Sequence, residues 1–395
     1  KLDGENPKFF LLFSTIHYEK YGGFQELLNG VWDVLPEGTP LIGGTVAGIM
    51  NNYGCYTRGE TALAVSYPNM DVAIGVGRNT KSNPTKAAEE CANMIKTKLK
   101  NSDYRYKFIF DIISGGLVPQ IAGLGRKKVI QGVSSKLALS LLNLSLTTFQ
   151  KGVGREEEIL DEFAKYFDDY FFLHGSSMDD GRAITNYQFF DKEVGTNMIV
   201  ALGVNLDLEI SISSCHNLKE IKKFRVTKLS KDGRVIHRIN GKPATKEFLN
   251  LLGWSEDYFD EELFKRTFFY PVGFKKNDEW FAEIIGIIVG DSITVLHAIK
   301  DTNMAILSAS GENLMNAVKR SLGMLNCETP SLGIISTCDG RLEALGSQVF
   351  RIQEEVSKYF KGSPFIAIYC GGEGIKKPNE EVKYGNVTFN PLIIK

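Results

Sequence analysis

Short apolar runs rich in Ile, Val, Phe and Tyr recur along the chain, and they predict buried β-strands. The runs are Phe9 to Phe13, Thr61 to Tyr67, Val72 to Val76, Phe108 to Ile113, Met198 to Gly203, Leu206 to Ser211, Ile284 to Val289, Ile293 to Leu296, Met304 to Leu307, Leu332 to Ile335 and Phe365 to Tyr369. Their number indicates a protein with much β-sheet.

Segments with an apolar residue every three or four positions lie between these strands and predict amphipathic helices. The clearest is Pro84 to Leu99, where Asn83 can cap the helix and Pro84 suits its first position. The next clearest is Leu345 to Phe360. The other predicted helices are Phe24 to Val34, Ser135 to Thr147, Glu156 to Phe167 and Asn313 to Leu322.

The order of these elements predicts the fold class. Helices alternate with strands over much of the chain, but a purely β stretch extends from about Ala183 to Ile239. Within it, Phe224 to Leu229 and Arg234 to Ile239 flank Asp232-Gly233, a turn that favours a hairpin. This mixture predicts an α+β protein rather than a uniformly doubly wound sheet.

Three stretches follow one plan, in which an apolar strand, a helical segment and a second apolar strand succeed each other. The pairs of strands are Phe9 to Thr15 with Leu41 to Gly44, Phe108 to Ser114 with Phe171 to Ser176, and Leu332 to Thr337 with Phe365 to Gly372. Internal duplication would produce this pattern, and so would the strand–helix–strand units of any α/β protein.

Cys338, Arg341 and Glu373 form the most informative group of polar residues. Cys338-Asp339-Gly340-Arg341 follows one buried strand, and Gly371-Gly372-Glu373 follows the next strand, after one helix. Because strands joined by such a crossover lie parallel and close, we expect Arg341 and Glu373 to share an ion pair or a pocket. A structural ion pair beside a buried thiol is the alternative to a binding site.

Composition and charge narrow the functional classes. A chain of 395 residues with a formal charge of −1 is expected to fold as a soluble, cytoplasmic protein with no affinity for nucleic acid or an anionic membrane. Short basic clusters such as Arg126 to Lys128 are interpreted as solvated faces. Six cysteines without a CxxC pair and five scattered histidines indicate neither a disulfide framework nor a metal site.

The chain resembles the FIST (F-box and intracellular signal transduction) proteins over nearly all its length. In the first half, Leu41 to Ile49 and the stretch from His174 to Asp180 resemble family motifs. In the second half, the family's Cys-x-x-Arg motif resembles Cys338 to Arg341. Its Gly-Glu motif resembles Gly372-Glu373, and its terminal Asn-x-Thr motif resembles Asn386-Val387-Thr388. The order of these pieces along the chain is more specific than any one of them.

The resemblance implies two pseudo-similar lobes of mixed sheets flanked by helices and packed together. We expect a FIST N-type lobe at residues 1–240 and a FIST C-type lobe at residues 241–395. It also implies a sensory module of signal transduction that binds a small molecule such as an amino acid and acts on a signalling protein partner. His174 replaces a family glycine, and Cys370-Gly371 replaces an aromatic-Gly pair.

The resemblance also adds residues to the predicted ligand site. Gly43, Gly44 and Thr45 become candidates for a pocket wall, although tight turns explain such glycines equally well. Asp179 and Asp180 could hold a ligand ammonium while Arg341 holds a carboxylate in a bidentate pair, but an Asp-Asp-Gly turn is ordinary loop chemistry.

Three functional classes remain open at this stage. Small-molecule sensing makes the fewest demands, since GxGxxG is absent and we expect no cofactor. A protein-interaction module is the second class. A cysteine-dependent hydrolase is the third, and it would need an imidazole near Cys338, which only His17 or His174 could supply through the fold.

Overall fold

The computed structural model describes residues 2, 4–100, 103–120, 125–132, 134–144, 155–276 and 279–395. Its mixture of sheets and helices confirms the α+β class. In chain order, the helices α1 to α9 are Phe24–Trp32, Pro84–Lys98, Ser134–Leu144, Glu156–Ala164, Ala244–Leu252, Leu263–Thr267, Gly311–Met324, Gly340–Leu345 and Phe350–Phe360.

The strands are numbered in the same way. Strands β1 to β13 are Phe9–Thr15, Leu41–Val46, Gly48–Asn51, Gly54–Tyr56, Glu60–Val65, Met70–Arg78, Tyr106–Ser114, Val129–Ile130, Phe171–Ser177, Gln188–Phe190, Glu193–Gly195, Met198–Leu206 and Ile210–Ile212. Strands β14 to β26 are Lys219–Leu229, Val235–Ile239, Lys242–Pro243, Val272–Lys276, Glu279–Glu283, Ile285–Val289, Ser292–Val295, Asn303–Ser308, Leu332–Cys338, Phe365–Cys370, Glu373–Lys376, Lys383–Gly385 and Phe389–Ile394.

The three strand–helix–strand stretches each form a parallel pair of strands. β1 pairs with β2, β7 with β9 and β22 with β23. In each pair the carboxyl ends of both strands therefore lie side by side. Internal duplication itself stays a prediction, because parallel pairing is what any right-handed crossover produces.

Three of the four sheets contain strands from both sides of residue 241. In the sheet with the order β25-β24-β9-β7-β12-β6, β24 pairs antiparallel with β9. In the sheet with the order β13-β26-β22-β23-β3-β4, β23 pairs antiparallel with β3. In the sheet with the order β18-β17-β21-β14-β15-β20-β19-β8, β14 pairs antiparallel with β21. The remaining sheet, with the order β11-β10-β2-β1-β5, comes from the first half alone. The predicted lobes therefore exchange strands.

Burial of the apolar runs explains why the chain packs in this way. One cluster of buried side chains, including Phe13, Ile112 and Ile368, comes from strands of three different sheets. A second cluster forms where α2 and α4 cover the sheet that contains β6, β7 and β12. Gly77 allows α2 to approach β6, because a Cβ there would lie 1.8 Å from the carbonyl oxygen of Ala87.

Several predicted boundaries differ from the observed ones. The helix predicted from Leu345 to Phe360 is interrupted at Gly346, whose φ of +49° is in the left-handed region that ends α8. The strand predicted from Leu206 to Ser211 divides between β12 and β13. Of the helix predicted from Ser135 to Thr147, the last three residues lie outside the described part of the chain.

Candidate functional site

A cavity of about 90 Å³ lies where residues from both sides of residue 241 meet, and we call it the interlobe cavity. It is lined by Gly115, Gly116, Leu117, Val118, Lys128, Glu156, Ser177, Met178, Gly181, Ala183, Phe264, Phe268, Ile284, Ile285, Gly286, Ile287, Leu296, His297, Asp339 and Gly371. Residues directly after β7, β9, β22 and β23 contribute to this lining, so the cavity lies at the carboxyl ends of two parallel pairs, where α/β sheets commonly bind ligands.

Two acidic side chains of the cavity have few partners. Glu156 begins α4 and is 6% exposed, and its carboxylate forms no hydrogen bond or ion pair with the described residues. Oδ1 of Asp339 accepts a hydrogen bond from the thiol of Cys338, at 3.7 Å from Sγ, and the carboxylate also accepts one from the backbone of Gly340. Burial raises the pKa of Asp339 to about 6, and the nearby Lys128 opposes this rise. Both carboxylates are thus available to a ligand.

Two basic side chains balance these acids. Lys128 precedes β8, and its Nζ donates to the carbonyl of Gly181 and lies 3.9 Å from the ring centroid of Phe264. Burial lowers the pKa of Lys128, although the carboxylates of Asp339 and Asp179 act in the opposite direction. The described residues provide no carboxylate close enough to Nζ for an ion pair.

His297 is the second base, and a carboxylate fixes its ring. Nδ1 of His297 donates to Oε2 of Glu283 at 2.9 Å, so the ring has Nε2–H left as a donor. Burial lowers the pKa of His297, but Glu283, Glu157 and Glu156 outweigh burial and raise it to about 9. At neutral pH the ring is therefore an imidazolium.

The comparisons with known proteins match both parts of the chain that enclose this cavity. The FIST N domain model matches residues 8–242, and the FIST C domain model matches residues 244–376. The chain belongs to the FIST family. FIST domains are sensory domains of signal transduction. The interlobe cavity therefore lies between residues of the FIST N and FIST C matches.

One relative of this FIST protein is an uncharacterized protein of Methanocaldococcus jannaschii. The two are 24% identical over 248 residues, which are 59% of this chain and 48% of the relative. The chain thus matches about half the length of that relative. The division of the chain at residue 241 into two lobes stays a prediction.

The FIST motif residues Arg341 and Glu373 are buried together but form no ion pair. Arg341 donates to the carbonyls of Leu314 and Val387 at 2.9 Å each, and its Nε donates to the carbonyl of Thr388 at 3.4 Å. Oε1 of Glu373 accepts from the amide of Thr388 at 2.6 Å and from its hydroxyl at 3.0 Å. Of the two expected arrangements, the direct ion pair does not form, because backbone carbonyls already occupy the guanidinium, and a shared pocket stays a prediction.

Neither Arg341 nor Glu373 lines the interlobe cavity. Oε2 of Glu373 is buried and has no hydrogen-bond partner among the residues that the structure describes. Burial raises the pKa of Glu373 to about 8, so the side chain is mostly a neutral acid at pH 7. The ligand-binding roles given to Arg341 and Glu373 stay predictions.

Asp179 and Asp180 lie beside the cavity and organise the loop after β9. Oδ1 of Asp179 accepts from the amide of Ala183 at 2.8 Å, and Oδ2 accepts from the amide of Ile184 at 2.7 Å. Asp180 pairs with Arg182 at 2.7 Å. These bonds are those of an ordinary acidic turn, and Gly181 and Ala183 of the same loop line the cavity.

Gly43, Gly44 and Thr45 lie inside β2 and do not line the cavity. A Cβ on Gly43 would lie 1.7 Å from the carbonyl oxygen of Leu12, so strand pairing requires glycine there. Gly44 is also in close contact with a neighbouring backbone. The carbonyl of Thr45 accepts from the amide of Met178 at 2.9 Å, which links this segment to the cavity wall.

Cys338 lacks the neighbours of a nucleophile. Burial, Glu373 and Asp339 raise its pKa well above the ordinary value, and its thiol is 1% exposed. Nδ1 of His174 contacts Asp111 at 2.6 Å and Nε2 contacts Ser176 at 3.2 Å, so both ring nitrogens are occupied elsewhere. His17 lies 3.9 Å from Asp180.

Sequence reasoning missed the cavity residues Lys128, Glu156 and His297. In the sequence, Lys128 belongs to a short basic cluster typical of a solvated face, Glu156 marks the start of a predicted helix, and His297 is one of five scattered histidines. No local pattern marks them, because the fold brings them together from distant positions. Asp339 could have been found, since it lies inside the Cys338 to Arg341 motif.

None of the helices in the described residues is long and apolar enough to cross a membrane.

Proposed function

We propose that this FIST protein senses a small zwitterionic metabolite, such as an amino acid, which binds in the interlobe cavity. The strongest support is that one cavity contains two carboxylates with few hydrogen-bond partners, together with an imidazolium. Asp339 and Glu156 would hold the ligand's ammonium, and Nε2–H of His297 would hold its carboxylate. A cytoplasmic location and a signalling protein as the partner belong to the same proposal.

The size of the cavity favours a small ligand. Its volume of about 90 Å³ is several times the roughly 10–15 Å³ that one water molecule needs, so the cavity has room for a compound with few heavy atoms.

The other residues that line the cavity favour a ligand with an apolar part. Val118, Phe264, Phe268 and Ile287 lie among the cavity residues and offer aliphatic and aromatic contacts. A few polar groups in a mostly apolar cavity are typical of small-molecule sites, since the polar groups fix orientation and the apolar ones contribute most of the buried area.

Ligand binding through the two halves would also suit a sensory role. The first half of the chain lines the cavity with the loops after β7 and β9. The second half lines it with α6, β19 and the segment after β22. A ligand that contacts residues of both halves binds best to the conformation in which these residues lie close together. Binding therefore shifts the protein towards that conformation, which a partner protein can recognise.

The test is calorimetric titration of the amino acids and related small metabolites into the full chain. We expect a member of this panel to bind, and Asp339→Asn and His297→Gln each to weaken its binding by about tenfold or more, which is 1.4 kcal/mol. The matched control is Glu261→Gln, because Glu261 is an exposed carboxylate that pairs with Lys127.

Two results would contradict the proposal. Binding that is unchanged in both cavity variants would place the ligand elsewhere. A panel of which no member binds would favour the protein-interaction class over sensing of a zwitterion.

A further inference from the structure

We propose that Lys128 is a carbonyl-trapping amine: its Nζ, in the interlobe cavity and in the field of Asp339, forms a reversible imine with a small aldehyde or ketone. This inference goes beyond the proposed function and rests on it only for the use of the same cavity. It adds a covalent step and a second ligand class, the small carbonyl compounds.

The position of Lys128 meets the first requirement, an amine that is accessible to a ligand but protected from bulk water. Nζ lies over the face of Phe264, and the neighbouring cavity residues Val118 and Leu296 are apolar. Its hydrogen bond goes to the neutral carbonyl of Gly181. No described carboxylate forms an ion pair with it, and burial lowers its pKa, because this effect outweighs the opposing effect of the more distant carboxylates.

The surroundings also suit the product of the reaction, which is a cation. Asp339, Asp179, Glu343 and Asp180 all act on the charge at Nζ, although none is in ion-pair contact. The face of Phe264 adds a cation–π attraction. A protonated imine nitrogen is stabilised by these groups as the lysine ammonium is, so the site can hold the iminium cation once it has formed.

Asp339 provides the acid that the dehydration needs. The neutral amine of Lys128 attacks the carbonyl carbon, the C–N bond forms, and the C=O π electrons move to oxygen, which receives a proton from nitrogen. Asp339 then donates a proton to the resulting hydroxyl, the C–O bond breaks, and water leaves. The products are an iminium cation and an Asp339 carboxylate. Since the pKa of Asp339 is about 6, both of its forms are accessible near neutral pH.

Reductive trapping tests this inference directly. The full chain is incubated with propanal, and separately with glyoxylate, in the presence of sodium cyanoborohydride, and the labelled lysines are identified by peptide mass spectrometry. We expect Lys128 to be labelled several-fold faster than Lys127, because burial lowers the pKa of the Lys128 amine and leaves more of it neutral. Lys127 is the matched control, since it is the exposed neighbour and pairs with Glu261 at 2.8 Å.

Two variants separate the roles of amine and acid. Lys128→Arg keeps a cation but cannot form an imine, so it should remove the fast-labelled site and leave Lys127 unchanged. Asp339→Asn should slow labelling of Lys128 by on the order of a hundredfold, the contribution of a positioned acid. Both variants are used only if they melt cooperatively like the wild type. If Asp339→Asn does not fold, the pH profile of labelling in the wild type replaces it. We expect labelling of Lys128 to rise with pH below about 6 and to level off above it, because the protonated acid is then lost as fast as the neutral amine is gained, whereas labelling of Lys127 should keep rising.

The inference is overturned if Lys128 is labelled no faster than Lys127, or if the label spreads evenly over exposed lysines. That result leaves the proposed function intact when calorimetry still finds a zwitterionic ligand. Conversely, fast labelling of Lys128 without any binding of amino acids would support the imine and contradict the zwitterion.

Discussion

Arg341 and Glu373 are linked through Thr388 rather than to each other. Arg341 donates to the carbonyl of Thr388, while Glu373 accepts from its amide and its hydroxyl. The guanidinium also binds the carbonyl of Leu314 on α7. These two FIST motif residues therefore fix the segment before β26 against a helix and against β24, and neither lines the cavity that we propose as the ligand site.

The first prediction concerns Arg341 as a structural group. Arg341→Ala should lower the free energy of unfolding by about 3 to 5 kcal/mol, because three buried carbonyls lose a charged donor. Urea denaturation measures this value. Arg320→Ala is the control, since Arg320 is exposed and binds Asn217, and its loss should be within about 0.5 kcal/mol. Equal losses in both variants would contradict a structural role for Arg341.

The second prediction is a pH dependence of stability that comes from Glu373. Burial raises the pKa of Glu373 from 4.5 to about 8, so between these values the folded state binds more protons than the unfolded state. Its contribution to stability is complete below pH 4.5 and is lost as pH rises through about 8. The free energy of unfolding should therefore fall over this range.

Glu373→Gln isolates this contribution, because glutamine imitates the neutral acid and does not titrate. Asp339 and His297 also have raised pKa values and act in the same direction, so the difference between wild type and variant is the informative quantity. We expect that difference to change by a few kcal/mol between pH 5 and pH 9. Glu380→Gln, at an exposed position on the same segment, should leave the profile unchanged. Parallel profiles for wild type and Glu373→Gln would show that Glu373 does not titrate in this range.

The third prediction is that Cys338 is unreactive in the folded protein. Its thiol is 1% exposed, and burial, Glu373 and Asp339 keep its pKa well above the ordinary value. Iodoacetamide should therefore label Cys327, which is only partly buried, and label Cys338 only after unfolding. Peptide mass spectrometry of the native protein checks this. Rapid native labelling of Cys338 would revive the cysteine-dependent alternative.

The sequence predicts the elements of this fold better than it predicts the site. The spacing of apolar residues identifies helices such as Pro84 to Leu99, because a residue buried every three or four positions reflects packing of one helix face. Strand ends identify Cys338 to Arg341 and Glu373 as neighbours, because one crossover places their strands side by side. The contacts of Arg341 are with Leu314 and Val387, and no local sequence pattern predicts contacts with residues so far away in the chain.

The cavity residues are harder to predict for a related reason. Lys128, Glu156 and His297 come from three separate segments, and each looks ordinary in its own context. Their pKa values and partners depend on burial, which arises only when loops after several strands meet. The exchange of strands between the halves is equally invisible, because a short run such as Glu373 to Lys376 gives no sign of which sheet it joins.

The last prediction concerns that exchange of strands. Because β24 pairs with β9 and β3 pairs with β23, each half completes a sheet of the other half. An inserted protease site at Gly241 should therefore yield two fragments that elute together in size-exclusion chromatography and melt in a single transition. Either fragment alone should aggregate, because β9 or β23 would then present an unpaired, fully buried edge. Two fragments that separate without denaturant and melt independently would show that the halves are autonomous domains, and the sheet pairings across residue 241 would then contribute little to stability.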